Sequence, residues 1–208
     1  MQQLSLALLL AIGCVAGTVS ARAGGINERT NYFTLRGATL EELDREMNRK
    51  GPTTGVGEGR HPGATQVKFG GSVSYKPVAS GCAVGRVDFN LRLVKILPRW
   101  TPPKSASAGT VIVWRTLSED IARHEEDHAK IARDYLRRME AAVRNLGSRG
   151  DCRAMEQAVN ATTGRYLKEH EAAQRAFDTM EGREVNWRLK RLLRRNMDAA
   201  MSAGGAGN

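Results

Sequence analysis

The sequence predicts an α+β fold in which a small antiparallel sheet packs on two long antiparallel helices, followed by a C-terminal basic helix. Three observations favour it: alternating apolar segments in the first half, two long segments with helical apolar spacing in the second, and basic residues concentrated near the C-terminal end. We expect a signal peptide at 1–23, one domain at 24–182, and a basic amphipathic helix with a flexible tail at 183–208.

The composition excludes several classes of protein. The 208 residues include 32 Lys+Arg and 22 Asp+Glu, for a formal net charge of +10. Charged residues interrupt the apolar segments, which excludes a polytopic membrane protein, and the periodic patterns exclude a largely disordered chain. The basic residues are not interleaved with aromatic ones, so we expect no nucleic-acid partner. No pattern indicates an oligomeric state.

The first 23 residues have the features of an export signal. The segment Leu4–Val15 is almost continuously apolar, which suits the core of a signal peptide and is too short to span a bilayer. The small residues Ala21 and Ala23 frame a cleavage site, and cleavage there would leave Gly24 first. A lipoprotein-type cleavage near Cys14 and a frayed or buried N-terminal helix are the alternatives. We therefore expect an exported protein, periplasmic or secreted.

Export changes the expected chemistry of the cysteines. Removal of the leader removes Cys14 and leaves Cys82 and Cys152. A pair of cysteines in an oxidising compartment favours one disulfide bond, here closing a long loop, with a stabilisation of roughly 3–5 kcal/mol. Two buried free thiols are the alternative.

A short strand and a capped helix open the domain. The segment Asn31–Arg36 alternates in the manner of a strand. Thr39 and Glu42 then form a capping box, in which each side chain can bond the other's backbone amide, so a helix is expected to about Asn48.

Two further strands should follow a loop at 51–64 that is rich in Gly, Pro and Thr. The first is expected at 67–75, with Gly70-Gly71 as a bulge or turn. The second is expected at 87–93, where Val, Phe and Leu alternate with polar residues, and Pro98 should end it.

The second half of the domain is predicted to form two long helices. A capping box at Thr116–Glu119 should open the first, which should run to about Leu146 before Gly147 and Gly150. The second is expected over Arg153–Met180. Because only a short turn joins them, we expect antiparallel neighbours.

The segment His124–His128 (HEEDH) within the first long helix carries the candidate chemistry. Two histidines four residues apart lie one turn apart on one face, so both imidazoles can reach one Zn²⁺. Glu125 would stand beside the open position of the metal as the general base for a metal-activated water. A charged, solvated helix face is the alternative interpretation. Glu126 and Asp127 are expected to face solvent.

Several motifs follow one another between about Tyr32 and Gly182: YFTLRGATLEEL, LPRW (Leu97–Trp100), Trp114, HEEDHAKIA (His124–Ala132), Cys152 and FDTMEG (Phe177–Gly182). In the order of these motifs the chain resembles a bacterial family of predicted secreted zinc-dependent proteases. This resemblance implies a zincin-like fold, zinc as the cofactor, and hydrolysis of a peptide or protein substrate.

The third metal ligand is where the chain departs from this family. Its members end in Tyr-Asp-x-x-Thr-x-His-Gly, whereas here Asp178 is followed directly by Thr179, Met180 and Glu181. If two residues are deleted, Glu181 replaces the family histidine, and a carboxylate is an acceptable third zinc ligand. Asp178 and His170 are the alternative ligands.

Two other functional classes stay open. One is a non-enzymatic envelope protein that retains the fold. The other is a membrane-surface or partner-binding module, because the basic amphipathic segment 183–197 could contact an anionic membrane. The third ligand discriminates the enzyme from the non-enzymatic protein.

Overall fold

The computed structural model describes residues 25–53 and 59–205 and contains a three-stranded sheet and three helices. The expected signal peptide, with Cys14, lies outside the described residues. The elements are β1 (Ile26–Leu35), α1 (Leu40–Lys50), β2 (Ala64–Val78), β3 (Gly81–Trp100), α2 (Ala108–Arg144) and α3 (Cys152–Gly205). The predicted α+β class is therefore confirmed.

The sheet is mixed, so the prediction of an antiparallel sheet was wrong in part. The strand order is β1-β3-β2, in which β2 and β3 form an antiparallel hairpin and β1 pairs parallel with β3, from Ile26 opposite Leu91 to Leu35 opposite Trp100. The chain leaves β1 through α1 and enters β2 at the same end of the sheet. Because β3 then returns between them, the central strand must run in the direction of β1.

The strands are longer than the alternating pattern predicted. β2 continues through Gly70 and Gly71, and its irregularity falls later, between Val73 and Tyr75. β3 passes Pro98, which pairs with Phe33 of β1, and ends at Trp100. Proline removes a backbone donor but fits extended backbone, so it did not end the strand.

The capping box of α1 is present as predicted. The Thr39 side chain accepts from the Glu42 amide at 3.3 Å, and the Glu42 carboxylate accepts from the Thr39 amide at 3.2 Å. These bonds satisfy two amides that a helix start leaves without partners. Leu43 is buried in a small cluster with Leu35, Trp100 and Trp114 that fixes this end of the sheet to α2.

Helix α2 begins nine residues, or about two and a half turns, earlier than predicted. Its N-cap is Ser107, whose hydroxyl accepts from the Thr110 amide at 3.0 Å. Thr116 lies inside the helix, where its hydroxyl donates to the carbonyl of Ile112 at 2.9 Å. Thr-x-x-Glu is also compatible with a helix interior, so the motif alone did not fix the start.

The face of α2 that lies on the sheet is lined by small residues. Ala129 and Ala132 are completely buried, and Leu136, Met139 and Val143 continue the buried row against β3 and the first turns of α3. Small side chains let the helix approach the sheet closely. Ile131 and Tyr135, larger apolar residues beside this row, are only half-buried.

The other edge of α2 meets the sheet through charges. Lys95 and Arg133 each pair with both Glu28 and Glu126, so this cluster joins β1, β3 and α2. Glu126, which was expected to face solvent, is 34% exposed and also contacts the sheet through Lys95. Asp127 pairs with Arg123 at 3.0 Å, as four-residue spacing predicts, and with Lys130 at 2.8 Å.

Helix α3 runs without interruption through position 182, and the basic segment expected as a separate helix is its last part. Residues early in α2 contact residues late in α3: Asn196 donates to Thr116 at 2.8 Å, and Arg188 pairs with Asp120 at 2.8 Å. No helix among the described residues is long and apolar enough to cross a membrane.

A disulfide joins Cys82 of β3 to Cys152 at the start of α3, as expected from the presence of two cysteines after residue 23. Cys82 is fully buried, and its backbone exchanges two hydrogen bonds of 2.8 Å with Arg149 in the turn before α3. The covalent bond therefore fixes the turn between the two long helices to the sheet.

Replacing Cys82 and Cys152 together with serine should lower the free energy of unfolding by about 4 kcal/mol, because the bond closes a loop of 70 residues. Chemical denaturation of the oxidised parent and the double variant measures this difference. Reducing agent should weaken the parent and leave the variant unchanged. An unchanged free energy of unfolding in the variant would contradict the prediction.

Candidate metal centre

The two histidines of the H-E-x-x-H motif face one another on α2. Their positions, four residues apart, place the rings one turn apart, and the Nε2 atoms of His124 and His128 are 3.0 Å from each other. The side chains are 27% and 14% exposed, so both rings remain open to a cleft. Phe177 of α3 stacks on His124 and meets His128 edge-on, which holds both rings in place.

Asp178 of α3 completes a cluster of three potential metal ligands. Its Oδ1 lies 2.9 Å from His128 Nε2 and 3.4 Å from His124 Nε2. In a tetrahedral zinc site with bonds of about 2.0–2.1 Å, neighbouring ligand atoms are about 3.3 Å apart. The three atoms therefore have the spacing and the nitrogen and oxygen chemistry that zinc prefers. Asp178, one of the two alternatives for the third ligand, lies in this cluster, whereas Glu181 was predicted first.

Glu181 lies behind His124 and does not join the three converging atoms. Its carboxylate is 3.5 Å from Nδ1 of His124, the ring nitrogen that faces away from His128. Arg123 and Arg188 both form ion pairs with it, and it is only 7% exposed. Burial opposes ionisation, but the hydrogen bond from Arg123 and the charges of both arginines lower the pKa of Glu181. A carboxylate held in this way orients the histidine.

Gln174, which no motif in the sequence identified, orients His128 as Glu181 orients His124. Its Oε1 is hydrogen-bonded to His128 Nδ1, and its side-chain nitrogen donates to the His128 carbonyl at 3.1 Å. A proton held on Nδ1 leaves the lone pair of Nε2 directed at Asp178 and His124. Partners of this kind fix the tautomer and orientation of metal-ligating histidines.

His170, the other alternative ligand, lies one turn before Gln174. Its Nε2 is 2.9 Å from the Gln174 side-chain nitrogen, and its ring packs edge-on against Phe69 and Tyr135. Burial lowers the pKa of His170, so the ring is held neutral and can accept from the amide. His170 therefore supports Gln174 instead of joining the three ligand atoms.

Glu125 points from α2 towards the first residues of β2. It is only 5% exposed, and the Thr65 hydroxyl lies 2.7 Å from its Oε2 and 2.9 Å from its backbone carbonyl. Burial raises the pKa of this carboxyl, although the Thr65 hydrogen bond and both histidines act in the opposite direction. A raised pKa brings a carboxyl closer to the range in which it can both take up and release a proton.

Gly63 leaves the space in which the Glu125 carboxyl lies. A Cβ atom at position 63 would be 2.8 Å from Glu125 Oε1 and 2.8 Å from a methyl of Ile121. Any larger residue would have to displace one of these side chains. Glycine is thus needed here for close approach of the loop to the helix.

These groups share one cleft of about 700 Å³ between the start of β2 and the two long helices. His124, Glu125, His128 and Asp178 all line it. The wall on the N-terminal side of His124 is largely apolar and is formed by Leu117, Ile121, Val185 and Leu189. The cleft has the size and the mixed character of a binding site for a small molecule or a peptide segment.

A cluster of ion pairs at the wall of the cleft joins the two long helices. Asp120 accepts from Arg123 at 3.1 Å and from Arg188 at 2.8 Å, and both arginines also bind Glu181. Burial alone would raise the pKa of Asp120, but the hydrogen bonds from Arg188 and Arg123 outweigh it and lower the pKa. Asp120 is therefore ionised at neutral pH, and the cluster fixes the helix segments that carry His124 and Asp178.

Replacing Asp120 with asparagine should lower the free energy of unfolding at pH 7 by about 3 kcal/mol, because it leaves the partly buried Arg123 and Arg188 poorly compensated. A lowered pKa stabilises the fold above about pH 4, and this stabilisation is lost as the pH falls through the folded value. The variant should therefore show a smaller acid-induced fall in melting temperature, measured by circular dichroism between pH 7 and 2. Asp134→Asn, which removes an exposed pair with Arg137, should change stability by less than about 1 kcal/mol. Equal effects of the two substitutions would contradict the prediction.

The fold and the site define an α+β protein with a candidate His₂Asp metal centre in a cleft. Residues 30–184 match the model of a bacterial protein family of unknown function, DUF922, and the chain belongs to this family. No curated protein and no solved structure matches the chain. The family description assigns no activity, so the zinc dependence and protease activity implied by the sequence resemblance stay predictions.

Proposed function

We propose that the protein is an exported zinc-dependent metallopeptidase. The observation that carries the proposal is the convergence of His124 Nε2, His128 Nε2 and Asp178 Oδ1 within 3.4 Å of one another, at a cleft that Glu125 also lines. Zinc held by these three atoms would supply Lewis acidity and a water that ionises near neutral pH.

Glu125 is the proposed general base and acid. Its burial and raised pKa favour a group that takes a proton from the attacking water and then delivers it to the leaving amine. The Thr65 hydroxyl fixes the carboxylate through one oxygen and leaves the other able to carry the proton. Gln174 and Glu181 keep the two histidines oriented from behind.

A peptide is the proposed substrate because the cleft lies beside an edge strand. β2 occupies one edge of the sheet, and Ala64, Thr65 and Val67 near its start line the cleft. An edge strand offers backbone donors and acceptors to which an extended peptide can add as a further strand. A peptide bound there would pass the ligand cluster and place its side chains along the apolar wall.

The zincin-like arrangement and export are part of the same proposal. The contacts of Thr116 with Asn196 and of His128 with Gln174 support an antiparallel pairing of α2 with α3. A disulfide is typical of oxidising compartments, which supports a periplasmic or secreted location.

Metal analysis combined with a peptide-library assay tests the proposal. The purified protein should contain one zinc per chain and cleave unstructured peptides, and a chelator should abolish cleavage until zinc is restored. A His128→Ala variant should lose both zinc and cleavage. Zinc with no cleavage of any library peptide would favour the non-enzymatic envelope protein, and absence of zinc would overturn the metal site itself.

A further inference from the structure

The last part of α3, from Arg183 to Met201, has one face on the protein and one face in solvent. Val185, Leu189, Leu192, Leu193 and Asn196 are half-buried on the inner face. Positions 183, 187, 190, 194, 197 and 201 follow alternating steps of four and three residues, so they form one stripe along the helix. Every member of this stripe is exposed: Arg183, Trp187, Lys190, Arg194, Met197 and Met201.

The charges on this solvent-facing side are mostly positive and unpaired. Between Arg183 and Met201, five basic residues are exposed, against two acidic residues, Glu184 and Asp198. Among residues 25–53 and 59–205, no carboxylate forms an ion pair with Arg183, Lys190, Arg194 or Arg195, whereas the inward-facing Arg188 is paired twice. The cations of the stripe therefore contribute a positive surface and no internal stabilisation.

Large apolar side chains share the stripe with these cations. Trp187 is 65% exposed and Met201 is 66% exposed, which leaves most of their apolar area in water. The Arg191 guanidinium lies 4.4 Å from the centroid of the Trp187 ring. A soluble polyanion would need only the cations, and a second copy of the helix would bring like charges together. Cations that share one helix face with a tryptophan and two methionines fit an interface that is both anionic and apolar.

We propose that this stripe docks the protein on the surface of a membrane containing anionic lipids. A helix lying in the plane of the interface would insert Trp187, Met197 and Met201 at the boundary between headgroups and acyl chains. Arg183, Lys190 and Arg194 would then contact the anionic headgroups. This docking does not depend on hydrolysis, because the stripe faces away from the cleft residues Val185 and Leu189.

Vesicle sedimentation with the full-length mature chain tests the proposal. We expect binding to phosphatidylcholine vesicles that contain phosphatidylglycerol and weak binding to vesicles of phosphatidylcholine alone. Binding should be lost between 0.1 M and 1 M salt, because the Debye length falls from about 10 to about 3 Å over this range. Replacing Arg183, Lys190 and Arg194 with glutamine should weaken binding about 100-fold, at roughly fivefold for each cation. Replacing Arg137, Arg144 and Arg165, which are exposed elsewhere, removes the same charge and should have little effect.

Tryptophan fluorescence gives a second readout. Trp100 and Trp114 are buried, so a blue shift of the emission on adding vesicles should come from Trp187 and vanish in Trp187→Phe. Four results would overturn the proposal: equal binding to both vesicle types, equal loss in the two charge variants, no Trp187 shift, or equally tight binding to a soluble polyanion such as heparin.

Discussion

Replacing Glu125 with glutamine is expected to lower the rate of peptide cleavage by about 10²–10⁴-fold, the usual contribution of a general acid–base group, while zinc content stays unchanged. The amide keeps the size of the carboxylate and can still contact the Thr65 hydroxyl, which lies 2.7 Å from Oε2 in the parent. It cannot accept the proton of the attacking water. Steady-state cleavage of a quenched fluorogenic peptide, with zinc measured on the same sample, checks this result.

The adjacent residue Glu126 provides a matched control. Its carboxylate pairs with Lys95 and Arg133 on the far side of the helix from the cleft. Glu126→Gln should therefore keep cleavage within a few-fold of the parent, with a loss confined to stability. Cleavage that survives in Glu125→Gln, or falls equally in both variants, would remove Glu125 from the proposed mechanism.

The second large effect is expected at Asp178. Asp178→Ala removes one of three ligands and should weaken zinc binding by more than the 10–100-fold loss typical of residues that only orient a ligand. Glu181→Gln should weaken zinc binding only by that 10–100-fold factor. Glu181 contacts Nδ1 of His124 and forms ion pairs with two arginines, so it is not expected to bind the metal directly. Competition with a chromogenic zinc chelator measures both affinities.

The order of the two losses is the decisive result. A larger loss in Glu181→Gln than in Asp178→Ala would mean that zinc draws Glu181 away from Arg123 and Arg188 to become the third ligand. The melting temperature of each metal-free variant serves as the control, since Glu181 also contributes to the cluster of ion pairs at the wall of the cleft.

Short sequence motifs predicted the features of the fold that depend on residues close together in the chain. The capping box of Thr39 and Glu42 fixed the start of α1 because both partners lie within one turn. The pairing of Cys82 with Cys152 followed from there being two cysteines after the segment that was expected to be a signal peptide. The parallel pairing of β1 with β3 could not be read in this way, since it depends on which strand lies between the others.

In the candidate site, too, local spacing predicted some features, and others depend on how the helices pack. Spacing placed His124 and His128 on one face of α2, and the structure brings their rings together. The choice between Asp178 and Glu181 depended on the rotation of α3 relative to α2, which no residue pattern fixes. Gln174 lies midway between His170 and Asp178 at four-residue steps, a signal that could have identified it.

Glu125 and Thr65 were separated by sixty residues, and only tertiary packing joins them. The buried row of α2 runs through Ile121, Glu125 and Ala129, so the acidic side chain occupies a position that an apolar residue would normally take. A search for large apolar residues does not show this row, because Ala129 is small and Glu125 is charged. The burial of this carboxyl supports the proposed role of Glu125, because perturbed carboxyl groups are concentrated at functional sites.

The central claim is that one metal ion binds between His124, His128 and Asp178. Anomalous diffraction from crystals of the zinc-loaded protein, recorded on both sides of the zinc absorption edge, tests it most directly. The expected result is a single strong peak within about 2.0–2.2 Å of the two Nε2 atoms and of an Asp178 carboxylate oxygen. A map with no peak there, or with the zinc bound only by other side chains, would contradict it.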